Sequence, residues 1–311
     1  MDTQNNSAKF AFFYLLSLVA LIFMALASGM IIFQIINKKI IDVLEQFSVS
    51  YSPDQLKFAI SALIISAPIY YLVMRQIFKS LFSGELAKDS GVRKWLTYFI
   101  LFVASVVMLG WLIAVINNFL DGELTIKFIL KAMTAIVIAA AVFTFYFYDI
   151  KREETAGKKD KVIRIYFYGS LAAVAAVFIA SLFFVESPSQ TRNRKYDNAI
   201  LDKFNQIDNA INTYYQDYEK LPAGLEELKT EFTYITDKDL ENPATKEKFE
   251  YKIINENTYE LCSAFITSNK DEDVIYGNYD YKDRWSHKAG YQCLGQKVRD
   301  KDSREIAPMP L

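Results

Sequence analysis

Five long apolar runs, each ended by a short polar segment, fill the first part of the chain. They lie near residues 10–36, 56–78, 95–116, 126–150 and 162–185. Each is about as long as the ~20 apolar residues a helix needs to cross hydrocarbon. The last, VIRIYFYGSLAAVAAVFIASLFFV, carries one charge, Arg164, near its start, and no later run is long enough to follow it. The pattern predicts an α-helical membrane bundle of five transmembrane helices over residues 1–185. A linker at 186–195, ESPSQTRNRK, and a small α+β domain over residues 196–311 complete the chain.

Within the bundle, local signals refine the helices. Ala25 and Gly29 have the small-xxx-small spacing that lets membrane helices approach. Ser52-Pro53 reads as a helix start, and Pro68 in mid-span predicts a kink. Arg75, Lys79, Lys127 and Lys131 sit in terminal turns, from which long side chains reach the headgroups. Trp95 and Tyr98 mark an interfacial aromatic belt.

The tail changes period. Ile200, Phe204, Ile207, Ile211, Tyr214 or Tyr215, and Tyr218 recur at steps of three and four, one stripe of a helix from Tyr196 to about Glu219. Leu221-Pro222 ends it, GLEELKT is a further helical turn, and ENPAT is a polar loop. Residues 249–254 and 258–265 are aromatic and β-branched and flank NEN, which predicts a hairpin. Residues 274–281 suit another strand, and Cys293 in YQCL lies in or near a last one.

Charge separates the two parts. Residues 1–185 hold 17 Lys and Arg against 12 Asp and Glu, a net of +5, and residues 186–311 hold 18 against 24, a net of −6. Neither part has a basic stripe with interleaved aromatics, so nucleic acid is not an expected partner. Near the spans, twelve Lys and Arg fall on the side that includes Lys9, Arg75, Arg93 and Arg152, and five on the other. The positive-inside rule then places the N-terminus inside and the tail outside. Cys262 and Cys293 are the only two cysteines, both in the tail, as suits a disulfide in an extracytoplasmic domain.

Signals for chemistry are few. His287, the only histidine, lies six residues before Cys293, and a Cys-His nucleophilic pair is weighed against a bridged Cys293 with a packed imidazole. Bridging is the expected state, which leaves no catalytic residue and no structural zinc site. Asn269 with Asp271, Glu272 and Asp273 offers oxygen ligands but not the spacing of an EF-hand, so a solvated loop is expected there. No P-loop, GxGxxG, HExxH or GxSxG motif is present, and no cofactor is expected. Arg75, Lys127, Lys131, Asp149 and Arg164 are all terminal in their spans, which speaks against ion-coupled transport. A neutral-solute pathway requires a polar cavity lined by Ser61, Ser66 and Thr134.

Two stretches resemble known families. AKFAFFYLLSLVALIFMALASGMIIFQIINK, RKWLTYFILFVASVVMLGWLIAVINNFLDGELT and FYFYDIKRE, within residues 8–155, resemble a bacterial family of multi-span membrane domains of unknown function. The tail, with a long helix, YYQDYEKLPAGLEEL, a polar loop and a sheet with a cysteine pair, resembles the soluble domain of type IV pilins and type II secretion pseudopilins. That likeness implies a shared tail fold. MDTQNNSAKFAFFY lacks the peptidase site of such subunits, so assembly into a pilus is not implied. The expected protein is a non-enzymatic protein of the bacterial cytoplasmic membrane. Its pilin-like domain is displayed outside for protein interaction or envelope assembly. Its partners are membrane lipid and a protein, or a second copy met through bundle or tail. The alternatives are a receptor binding a ligand through the tail and an accessory to a transporter or channel for a neutral solute.

Overall fold

The computed structural model describes residues 2–40, 51–86, 90–152, 157, 160–270 and 284–299. The chain divides into two compact units, Met1–Val185 and Glu186–Leu311.

The first unit contains α1 (Asp2–Lys39), α2 (Pro53–Ser83), α3 (Gly91–Leu120), α4 (Ile126–Lys151) and α5 (Lys161–Leu182). All five are long and apolar enough to cross a membrane. Their starts follow from short polar side chains that satisfy the otherwise unpaired first N–H groups of a helix. Ser52 accepts from the Gln55 amide with Pro53 in the first turn, Ser90 from Arg93, and Thr125 from Phe128. Asp160 accepts from Val162 and Ile163. α2 ends at Gly84, whose φ of 76° is a left-handed conformation that glycine takes without steric cost. It runs unbroken through Pro68.

α1 is the hub of this unit and touches each of the other four helices. α5 touches α1, α2 and α4, and only 6 % of its apolar window is buried, so most of its surface is left for lipid. The turn that follows it includes Phe184, whose carbonyl accepts from Tyr51 Oη at 3.1 Å and from Lys38 Nζ at 3.4 Å.

The second unit opens on α6 (Pro188–Tyr218), followed by α7 (Leu225–Glu231) and a 3₁₀ turn at Asp237–Leu240. Three strands follow, β1 (Glu250–Asn255), β2 (Thr258–Phe265) and β3 (Gly290–Lys297), in an antiparallel sheet ordered β1-β2-β3. Residues 274–281, expected as a strand, lie outside the described residues.

Two expectations are corrected here. Most of the stretch 186–195 is helix and not linker, because Ser187 and Gln190 form a capping box and Pro188 occupies the first turn. Proline at that position loses no intrahelical hydrogen bond, so it starts a helix as readily as it interrupts one. A non-helical stretch remains at 183–187. Tyr218, placed on the apolar stripe, is 46 % exposed, and its hydroxyl donates to Glu231. The stripe itself, Ile200, Phe204, Ile207, Ile211 and Tyr214, is buried against Tyr259, Leu261, Phe265, Trp285 and Leu294.

A second stripe of α6 is polar. Asp197, Asn205, Asp208 and Asn212 are spaced by eight, three and four, so they share a face. Asp197 accepts from the backbone amides of Ile266 and Thr267 at 2.8 and 2.6 Å, which fastens α6 to the end of β2. Asn205 accepts from Trp285 Nε1 at 2.7 Å, and Asn212 from the Arg299 amide at 2.8 Å. Asp208, fully buried, accepts from the Tyr259 hydroxyl and pairs with Arg284. Buried polar groups cost stability unless paired, so these bonds select one placement of α6 on the sheet.

Tyr259 carries a pH dependence. Burial, and then the adjacent Asp208 carboxylate, hold its phenol well above the usual range. The folded state keeps this proton more firmly than the unfolded chain, whose phenols titrate near pH ~10. Stability from this group is therefore complete below that pH and falls as pH rises beyond it. Tyr259→Phe is expected to cost about 1–3 kcal/mol at neutral pH by leaving Asp208 short of a donor, and to flatten the alkaline loss of stability. Hydrogen exchange of α6 between pH 7 and 11 reads both effects, and an unchanged alkaline slope counts against the assignment.

Candidate functional site

Among the described residues of the membrane unit, a buried charged group joins the start of α3 to the end of α4. Because these helices form an antiparallel hairpin, Arg93 in the first turn of α3 meets Asp149 in the last turn of α4. Arg93 Nη2 donates to the Asp149 carboxylate at 2.8 Å and to its backbone carbonyl at 2.7 Å. Arg152, one turn on from Asp149, pairs with the other carboxylate oxygen. Arg93 is 1 % exposed and Asp149 7 %, so the triad is removed from solvent. Around it stand Tyr14 of α1 and Tyr70 of α2, and the Tyr70 hydroxyl lies 3.4 Å from that of Tyr146 on α4. The sequence pattern places Asp149 at a span end and Arg93 among the basic residues near the spans. Opposite charges at matching ends of a predicted hairpin were the available signal.

Arg152 also lines a cleft of about 1230 Å³ between α2 and α5. Along α2 the stripe Ile64, Pro68, Leu72, Arg75 and Lys79 faces it, and along α5 the stripe Arg164, Phe167, Leu171, Val174 and Phe178. Steps of three and four keep each set on one helical face. α2 approaches its charged residues at its C-terminal end and α5 at its N-terminal end, so the cations gather at one end of an otherwise apolar cleft. Tyr71 Oη donates to Ser170 Oγ at 3.1 Å and ties the two helices together. Arg152 Nε is buried without a hydrogen-bond partner among the described residues.

A second cleft, about 470 Å³, lies among α1, α3 and α4 and includes Ala25 and Gly29. A methyl group added at Gly29 would meet Ile138 at 3.7 Å, an ordinary contact, so this glycine is not required for a close helix approach. Ser61, Ser66 and Thr134 line neither cleft. Ser61 and Thr134 donate back to the carbonyls of Lys57 and Leu130, four residues earlier. Lys127, expected to reach outward, is 4 % exposed.

In the tail, Cys262 and Cys293 are Cα partners on neighbouring strands and are joined as a disulfide. The bridge lies on the sheet face opposite α6, beside Lys252, whose Nζ is 3.8 Å from Cys293 Sγ. Glu250 on the same face pairs with Lys252 at 3.2 Å and accepts from the Tyr291 hydroxyl. Glu260 stands close to both sulfurs, but bridged sulfurs are not thiolates, so the three residues form no metal-ligand set. His287 is packed in the core, its ring 3.9 Å from that of Phe265 and its Nδ1 3.0 Å from the Trp285 carbonyl. Cys293 and His287 therefore do not form a thiol–imidazole pair. Asn269 accepts from the His287 amide and donates to the Trp285 carbonyl, while Asp271, Glu272 and Asp273 lie outside the described residues.

No curated protein and no solved structure matches the chain. Residues 11–144, from within α1 to late in α4, match the family DUF5671, a domain of unknown function.

Proposed function

We propose that this is a non-enzymatic integral membrane protein that displays its pilin-like tail outside a bacterial cytoplasmic membrane for contact with a protein partner of the envelope. The observation that carries this reading is the Cys262–Cys293 disulfide. Such bonds persist in oxidising compartments and are rare in the cytoplasm. Five crossings then put the start of α1 on the cytoplasmic side, the side that Arg75, Lys79, Arg93, Arg152 and Arg164 share.

Two features support protein contact in place of ligand capture. Among the described residues of the tail, both cysteines engage each other, Asp197 and Asp208 the sheet, and His287 Phe265 and Trp285. β1 is an edge of the sheet among the described residues and exposes Ile253 and Ile254, a surface on which another strand can pair. The pilin likeness rests on one long helix laid over an antiparallel sheet that carries a disulfide.

Two measurements test the reading. In intact cells, a membrane-impermeant maleimide is expected to label Asn257→Cys in the β1–β2 turn and not Ser83→Cys at the end of α2. The reverse labelling overturns the orientation. Crosslinking from native membranes at Ile254→Cys, against Lys238→Cys on the 3₁₀ turn, is expected to capture a protein at the first site. Retention of a small molecule with no protein captured favours the receptor reading.

A further inference from the structure

We infer that the cleft between α2 and α5 is a binding site for an anionic glycerophospholipid, with the phosphate at the cationic end and the acyl chains along the apolar wall. Shape and charge argue together. At about 1230 Å³ the cleft exceeds the ~300–1,000 Å³ usual for a drug-sized solute. Its long walls, Ile64, Leu72, Phe167, Leu171 and Phe178 among them, offer mainly hydrocarbon contact, with the Tyr71 and Tyr168 hydroxyls as polar groups, the first of them already donating to Ser170. Its end is different. Arg75, Lys79, Arg152 and Arg164 reach it from three helices or their ends, with Asp160 the one acidic residue of the lining among the described residues.

The charges do not cancel among the described residues. Asp160 is engaged locally, accepting from the amides of Val162 and Ile163 and from the Tyr148 hydroxyl at 3.0 Å. Arg152 spends one terminal nitrogen on Asp149, yet its side chain is 9 % exposed and its Nε has no partner among the described residues. Arg75, Lys79 and Arg164 are exposed and make no ion pair among the described residues. Three unpaired cations and one buried, unsatisfied guanidinium donor at the mouth of a hydrocarbon-lined cleft complement a phosphodiester attached to acyl chains. Arginine suits this role because its planar fork matches phosphate oxygens. A neutral solute leaves the charges unanswered, and a free anion leaves the apolar wall unanswered.

The test uses the full chain, purified in mild detergent, stripped of lipid and titrated with phosphatidylglycerol or phosphatidylcholine under native mass spectrometry. One phosphatidylglycerol is expected to bind with at least about 10-fold preference, given roughly 1 kcal/mol per basic residue acting on an anionic headgroup. R75Q/K79Q/R164Q is expected to lose that preference at unchanged thermal stability, and R75K/R164K to keep it. Ala175→Trp, which fills the apolar wall, is expected to weaken both lipids equally. Equal binding of the two lipids by the wild type overturns the proposal, as does a preference that survives the triple glutamine variant. Displacement of phosphatidylglycerol by millimolar inorganic phosphate also overturns it, since the anion alone then suffices. The two natural cysteines are bridged, so Ala175→Cys reports on a second copy. An interchain disulfide there that is indifferent to added phosphatidylglycerol assigns the cleft to a protein neighbour instead.

Discussion

Asp149→Ala is expected to lower the stability of the membrane unit by about 3–5 kcal/mol, the range for removing one partner from a buried ion pair. The cost comes mainly from what remains. Without the carboxylate, the terminal nitrogens of Arg93 and Arg152 keep their charge, with the first guanidinium 1 % exposed and the second 9 %. Attraction offsets much of the desolvation cost while the group is intact, so deleting the carboxylate uncovers that cost, although Arg93 keeps its bond to the backbone carbonyl of residue 149. Asp149→Asn keeps an acceptor but no charge and should fall between wild type and alanine. The combined change R93M/D149L/R152M removes all three charges and should recover much of the loss. Thermal unfolding of the full chain in detergent ranks the four proteins. A wild-type melting profile for Asp149→Ala contradicts a buried triad. The changes at Arg75, Lys79 and Arg164 leave the triad intact, whereas R152M removes a charge common to the triad and the cleft.

Breaking the tail disulfide is expected to have the second largest effect. Cys262→Ala or Cys293→Ala opens a crosslink across 31 positions, worth roughly 3–4 kcal/mol in the chain-entropy view. The double variant should lose no more than either single one, since one bond is removed in all three. The reason the bond matters is geometric. It joins β2 to β3 across residues 266–289, which include the stretch 271–283 outside the described part. β3 therefore reaches its place beside β2 only by closing a long loop, which carries an entropic cost. Loss of the bridge should register first as hydrogen exchange and proteolysis at β3 and at the Trp285–His287 packing, with α6 following. Because the chain has two compact units, site-resolved exchange is the readout that assigns the loss to the tail. Equal protection of β3 in bridged and unbridged protein would remove the bond from the stability argument.

Much of the architecture was legible in the residue pattern. Five apolar runs became five span-length helices, because a helix in hydrocarbon must satisfy its own backbone and needs only length and side-chain polarity to announce itself. Ser52-Pro53 started α2 as expected, since a cap is a local interaction among residues a few positions apart. The stripe from Ile200 to Tyr214 marked the buried face of α6, and residues 250–255 and 258–265 formed the hairpin. The miss at Pro188 had a local cause: the same residue can end one element or begin the next, and the Ser187–Gln190 capping box decided for the second.

The polar interior was legible only in part. Asp197, Asn205, Asp208 and Asn212 fall at helical spacing, yet their partners Thr267, Trp285, Tyr259 and Arg299 lie 51 to 87 positions away. Periodicity names a face and says nothing of what will cover it. The cleft shows the same division. That Arg75, Lys79 and Arg164 end apolar helices was determined by the sequence itself, through the cost of placing charge in hydrocarbon. That these residues share one cleft with Arg152 was decided only by the tertiary structure. The antiparallel course of α2 and α5 brings their charged ends together, and pairing with Asp149 draws Arg152 into the same end. Local chemistry sets each helix and its length, whereas the meeting of distant side chains depends on how the helices pack.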